Sequence, residues 1–142
     1  MSSDENKAIV RRLIEEAQGR RQLHVIDELI SPEFIDHCAW PGVPGNREGV
    51  RQIFGMFHTA FPDLQVSIHD QIAEADRVAT RKTLSGTHKG DFFGIPATGR
   101  AVQIVVIDIL RLKDSWITDH WNLVDQQGLF QQLGLVPTAA EA

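Results

Sequence analysis

The chain holds one cysteine, Cys38, so no disulfide can close within it, which fits a reducing compartment. A lone thiol reads as a neutral structural side chain before it reads as a nucleophile. No apolar run approaches the roughly 18 residues of a membrane span, and the opening MSSDENK lacks the basic start and apolar stretch of a signal peptide. A soluble cytoplasmic protein without a membrane partner is expected. Basic excess is missing as well: the net charge is −5 and the pI about 5.6, which argues against nucleic acid as a partner. Six histidines are present, but none with H-x-H, H-x-x-x-H or H-E-x-x-H spacing, so no metal site is predicted. Glycine-rich dinucleotide, Walker and G-x-S-x-G motifs are absent too, and with them the nucleotide and serine-hydrolase readings.

What is present suits one core. With 142 residues and 42% hydrophobic content, a single domain is expected, ordered over about residues 4–135 with a short frayed tail at 136–142. Ser2 and Glu5 form a capping box ahead of Ala8, Ile9, Leu13 and Ile14 at helical spacing, predicting a helix to about Gly19. A second short helix over Gln22 to Ile30 is stopped by Ser31-Pro32, and a brief strand follows at Glu33 to His37. The Pro/Gly-rich loop Cys38 to Asn46 carries Trp40 and is a candidate lip over a cavity. Arg47 to Phe61 has an aromatic stripe, Phe54, Phe57 and Phe61, on an amphipathic helix. Strands are then expected from Leu64 to His69, from Arg77 to Ser85, and in a long hairpin, before a terminal helix from Asp125 to Leu133. Helices followed by a run of strands argue α+β with an antiparallel sheet.

The hairpin carries the chemistry. In Val102 to Leu112 both alternating sets of side chains are apolar, which predicts a strand covered on both faces. Asp108 interrupts one set, and a carboxylate there must be paired, protonated or facing a cavity. A two-residue turn at Lys113-Asp114 would set Asp108 against Asp119. A three-residue turn, Lys113-Asp114-Ser115, sets Leu112 against Trp116, Asp108 against His120 and Val106 against Asn122, and is expected because acid against imidazole is the cheaper pairing. One face would then gather Asp108, His120 and Asn122 within an apolar wall. The structural alternative for Asp108 is an ion pair with Arg81 across the sheet.

Three segments carry a family resemblance: HTAFPDL from His58, GTHKGDFFGIPATGR from Gly86, and ITDHWNLVDQQGLFQQLG from Ile117. Together they resemble the SnoaL-like polyketide cyclases, or ester cyclases. The resemblance covers nearly the whole chain and implies the cone-shaped fold of the nuclear-transport-factor-2-like superfamily, a strongly curved antiparallel sheet wrapped on N-terminal helices. It implies an intramolecular aldol condensation on a polyketide ester without metal or cofactor, run by an Asp on the last long strand with a His on the strand before it. Matching GIPATGR and QQLG puts that Asp at Asn122 and that His at Asp108. Both positions depart from the pattern, and an amide cannot exchange a proton at neutral pH.

The expected function is therefore cofactor-free acid/base chemistry on a hydrophobic carbonyl or ester compound. Asp108 would move the proton, His120 would tune it, and Asn122 and Arg81 would hold oxygens. Arg81, Thr83, Val106, His37, Trp40 and Phe61 are the expected substrate contacts. The alternative is a non-catalytic small-molecule-binding or hydroxylation-linked accessory domain of the same fold. An epoxide-opening hydrolase ranks last, since it needs a second carboxylate. Apolar Ile117 and Trp121 on the outer surface predict a homodimer or homotetramer.

Overall fold

The computed structural model describes residues 2–136; apart from Val136, the tail expected at 136–142 lies outside them. Helix α1 (Ser3–Arg12) starts where Ser2 Oγ accepts the Glu5 amide at 3.1 Å, as the capping box requires. It runs without a break into a π-helical segment, Leu13–Gly19. Next come α2 (Val25–Leu29), strand β1 (Ile30–Asp36) and α3 (Arg47–Ala60), the last capped by Asn46. Strands β2 (Gln65–Glu74), β3 (Arg77–Thr87), β4 (Ala101–Lys113) and β5 (Trp116–Val124) precede α4 (Gln126–Gln132).

The five strands form one curved, unclosed sheet in the order β1-β5-β4-β3-β2. Four strands make the expected antiparallel meander. The fifth, β1, joins the β5 edge in parallel, a pairing that no local signal in Glu33 to His37 announces. Bulges at His69 in β2 and Thr118 in β5 insert one residue each and bend their strands.

The β4–β5 turn corrects the expected register. Asp114 and Ser115 both take positive φ, 51° and 69°, so the loop is a two-residue turn of the mirror-image type, with Lys113 opposite Trp116. The Thr118 bulge then shifts the pairing so that Asp108 faces Asn122 and His120 faces Leu110. Because the turn and the bulge together preserve the phase, Asp108, His120 and Asn122 still share the concave face. The partners moved by two residues and the convergence survived.

A second correction concerns burial. On β4 the residues Val102, Ile104, Val106, Asp108, Leu110 and Leu112 are buried, while Val105, Ile107 and Ile109 of the opposite set are exposed. All helices lie on one side, so the strand is covered on one face only. The core comprises two clusters on that concave side. One joins α1, the π-helical segment, α2 and β1 to Val78, Leu110 and Leu112. The other joins the end of α3 and α4 to Leu84, Val102, Ile104 and Val106.

Candidate functional site

Between the two clusters lies a hollow. On β3 the inward set runs Val78, Thr80, Lys82, Leu84, and on β4 it runs Leu110, Asp108, Val106, Ile104, so the polar residues sit where one apolar cluster gives way to the other. Lys82 and Asp108 are 7% and 3% exposed, and Lys82 Nζ lies 2.9 Å from Asp108 Oδ2. Lys82 also donates to Gln18 Oε1 at 2.8 Å. Gln18 is placed by the π-helical segment, a distortion that often marks functional positions. Its backbone carbonyl accepts from His58 Nε2, tying that segment to α3. Burial pushes His58 below its ordinary value, so its ring is held neutral against this carbonyl.

Asp108 therefore has a partner, but it is Lys82 and not Arg81. Its second oxygen, Oδ1, is buried without a hydrogen-bond donor among the described residues.

The second polar pair crosses the parallel edge. His120 Nδ1 lies 3.0 Å from Asp36 Oδ1, which also accepts the Cys38 amide at 2.9 Å. Burial raises the Asp36 carboxyl, but the hydrogen bond and charge of His120, the Cys38 amide and the charge of His37 more than offset this, leaving it below the usual carboxylate range. An ionised Asp36 can only accept, so Nδ1 carries the hydrogen, and whenever the ring is neutral its lone pair is on Nε2. His37, one residue after Asp36, and Asp119, one residue before His120, meet on the convex side, with His37 Nε2 2.9 Å from Asp119 Oδ2, as alternation demands.

Asp108, His120, Asn122, Val106 and Trp40 line the hollow as expected, together with Gln18, Asp36, Cys38, Lys82 and apolar side chains from every surrounding element. About 80 Å³ of it is open to the centres of water molecules, room for several of them. The mouth is pinned by aromatic contacts: Trp40 stacks on Phe93 at 4.7 Å and meets Phe57 and Phe92 edge-on. A further cleft lined by Cys38, Ala39, Trp40, Asn122 and Val124 adjoins it.

Four expected contacts lie elsewhere. Arg81 is on the convex face, where its guanidinium grips Asp70, because it shares the phase of Ile107 and not that of Asp108. Thr83 is on that face too and bonds His69. His37 stacks on Trp121 at 4.6 Å outside the hollow. Phe61 is fully buried in the second core cluster, and Phe57 takes the wall position instead. Ile117, expected on the outer surface, is fully buried because the Thr118 bulge follows it.

Sequence reasoning missed Lys82, Gln18 and Asp36. Lys82 could have been found: Val78 and Leu84 share its phase on β3, and two large apolar residues at that spacing mark an inward set. Asp36 could not, since its partner depends on a parallel pairing with a strand about 80 residues away in sequence.

With this geometry in place, comparison with known proteins decides the family. The profile of the SnoaL-like polyketide cyclases matches residues 8–133. The chain belongs to that family. Nogalonic acid methyl ester cyclase of Streptomyces nogalater is 27% identical over 111 residues, covering 77% of this chain and 83% of that protein. Aklanonic acid methyl ester cyclase DnrD of Streptomyces peucetius is 39% identical over 57 residues, 40% of this chain and 39% of its own length, so this match spans about two fifths of that relative. Among solved structures, TsrD from Streptomyces laurentii superposes with a TM-score of 0.87 at 27% identity, covering 96% of this chain and 99% of that one. The SnoaL-like fold expected from the sequence is thus the fold observed. Among the described residues no helix is long and apolar enough to cross a membrane, and no three His, Cys, Asp or Glu side chains come together in a metal-binding group.

Proposed function

We propose that this SnoaL-like chain closes a ring in a hydrophobic polyketide ester by cofactor-free acid/base chemistry, with His120 as the group that moves the proton. The observation that carries this is the Asp36–His120 pair lining the same apolar hollow as Lys82, Asp108 and Asn122. Asp36 fixes the ring and its tautomer, so Nε2 can take a proton from the carbon between two carbonyl groups of the substrate. The electron pair of that C–H bond passes into an enolate oxygen. The enolate carbon then bonds to a second carbonyl carbon, whose oxygen receives the proton back from His120. Asn122, placed opposite Asp108, and the Lys82 ammonium supply donors to the developing oxyanions. Asp108, the residue expected to act as base, has one oxygen committed to Lys82; in this reading it holds Lys82 and substrate in place.

The curated relatives named above are methyl ester cyclases, which supports an aromatic polyketide methyl ester as the substrate class here. The test is proton exchange in deuterated water. Wild-type protein should exchange the acidic methylene of such an ester and close the ring, and His120→Gln should do neither. Exchange at the wild-type rate in His120→Gln would refute the assignment.

Self-association completes the proposal. With Ile117 inside, the convex face still exposes Val105, Ile107, Ile109 and Leu123 in one patch, and a second copy of the chain is the proposed cover. A monomeric mass in solution would contradict it.

A further inference from the structure

The unpartnered oxygen of Asp108 defines what a ligand must bring. Asp108 is 2% exposed and is one of the residues lining the hollow; its Oδ2 is held by Lys82, and its buried Oδ1 meets no donor among the described residues. A buried carboxylate oxygen left unbonded is costly, so whatever fills the hollow has to donate to it. A ligand that displaces water without replacing that bond loses affinity, and one that replaces it gains.

The surrounding charges narrow the donor. Lys82 already neutralises Asp108, and its ammonium, 2.9 Å from Oδ2, would repel a cationic donor placed at Oδ1. A carboxylate brings no proton to donate and would meet Asp36 and Asp108 in the same cavity. The walls around Asp108, including Leu84, Ile104, Val106 and Phe57, are apolar and offer no compensation for a charged group. What fits is a neutral O–H on an apolar ring system.

We infer that Asp108 Oδ1 is a recognition site for a phenolic or enolic hydroxyl, so that the hollow selects hydroxylated aromatic carbonyl compounds over their deoxy or O-methyl counterparts. This rests on the ring-closing reading only for the identity of the site. It assigns Asp108 to substrate selection and leaves the proton to His120.

The experiment is calorimetric titration of five related probes: methyl 2-naphthoate, its 6-hydroxy and 7-hydroxy forms, and the two corresponding methoxy compounds. Wild-type protein should bind at least one hydroxy isomer about tenfold or more tighter than the deoxy and methoxy probes, in line with a hydrogen bond to a charged acceptor. The single substitution Asp108→Asn leaves Lys82 buried and unpaired and can fail by unfolding. The paired substitution Lys82→Met with Asp108→Leu removes both charges at similar volume and should fold. It should erase the hydroxyl preference. Equal affinities in the wild type, or a preference retained in the paired variant, would overturn the inference. His120→Gln should keep the preference while losing ring closure, so a failure of the catalytic reading and a failure of this one give different results.

Discussion

Arg81 and Lys82 are neighbours in sequence, each bound to an aspartate, and they teach opposite lessons. Alternation along β3 sends Arg81 to the convex face, where it and Asp70 are 51% and 53% exposed, and sends Lys82 into the hollow, where it and Asp108 are 7% and 3% exposed. An exposed pair is screened by water and salt and contributes about 0–1 kcal/mol. A buried pair gains little net stability over apolar residues of the same shape, yet becomes very costly when one member is removed. The concave face therefore keeps charges that stability alone does not require, and the proposed function gives them a use. The convex face carries charges that only decorate it.

The largest effect should come from breaking the inner pair on one side. Lys82→Met strands the Asp108 carboxylate and should cost about 3–5 kcal/mol of unfolding free energy in denaturant titrations. Adding Asp108→Leu should recover most of that loss. If the paired variant is no more stable than Lys82→Met alone, the inner pair is not coupled as described.

Acid should separate the site from the outer surface next. His58 is pushed below its ordinary value of 6.5 by burial, so the unfolded chain binds that proton first. Its contribution is complete above about pH 6.5 and is lost as pH falls below it. Asp36 is held below the usual carboxylate range, where burial is outweighed by His120, the Cys38 amide and His37 together, so its contribution holds above about pH 4 and is lost further down. The stability difference between wild type and Asp36→Asn should accordingly shrink between pH 7 and pH 3 when followed by thermal melts. A constant difference would remove Asp36 from the account. The smallest effect belongs to Arg81→Ala, expected to lie within about 1 kcal/mol of wild type in the same titrations. A larger loss would erase the contrast between the two faces.

How much of this was legible follows from how local each feature is. The starts of α1, α3 and α4, the chain order and the inward set of β4 are written in caps and alternation, and they hold; α2, expected from Gln22, begins at Val25 without a side-chain cap. The concave trio of Asp108, His120 and Asn122 was legible although the turn was misread, because the two-residue turn and the Thr118 bulge cancel in phase. Thr83 and Arg81 were misplaced because the phase of β3 was not read from Val78 and Leu84, its two large apolar residues, which share the side of Lys82 and not that of Arg81. Asp36 and Gln18 depend on a parallel edge and a π-helical segment, which are tertiary outcomes with no local signature in the sequence.

The most direct test of the central claim sets the two faces side by side in one assay. Ring closure of an aromatic polyketide methyl ester should fall by at least about two orders of magnitude in kcat for His120→Gln and stay at the wild-type rate for Arg81→Ala. Equal turnover in the two variants would place the chemistry outside the hollow and contradict the account.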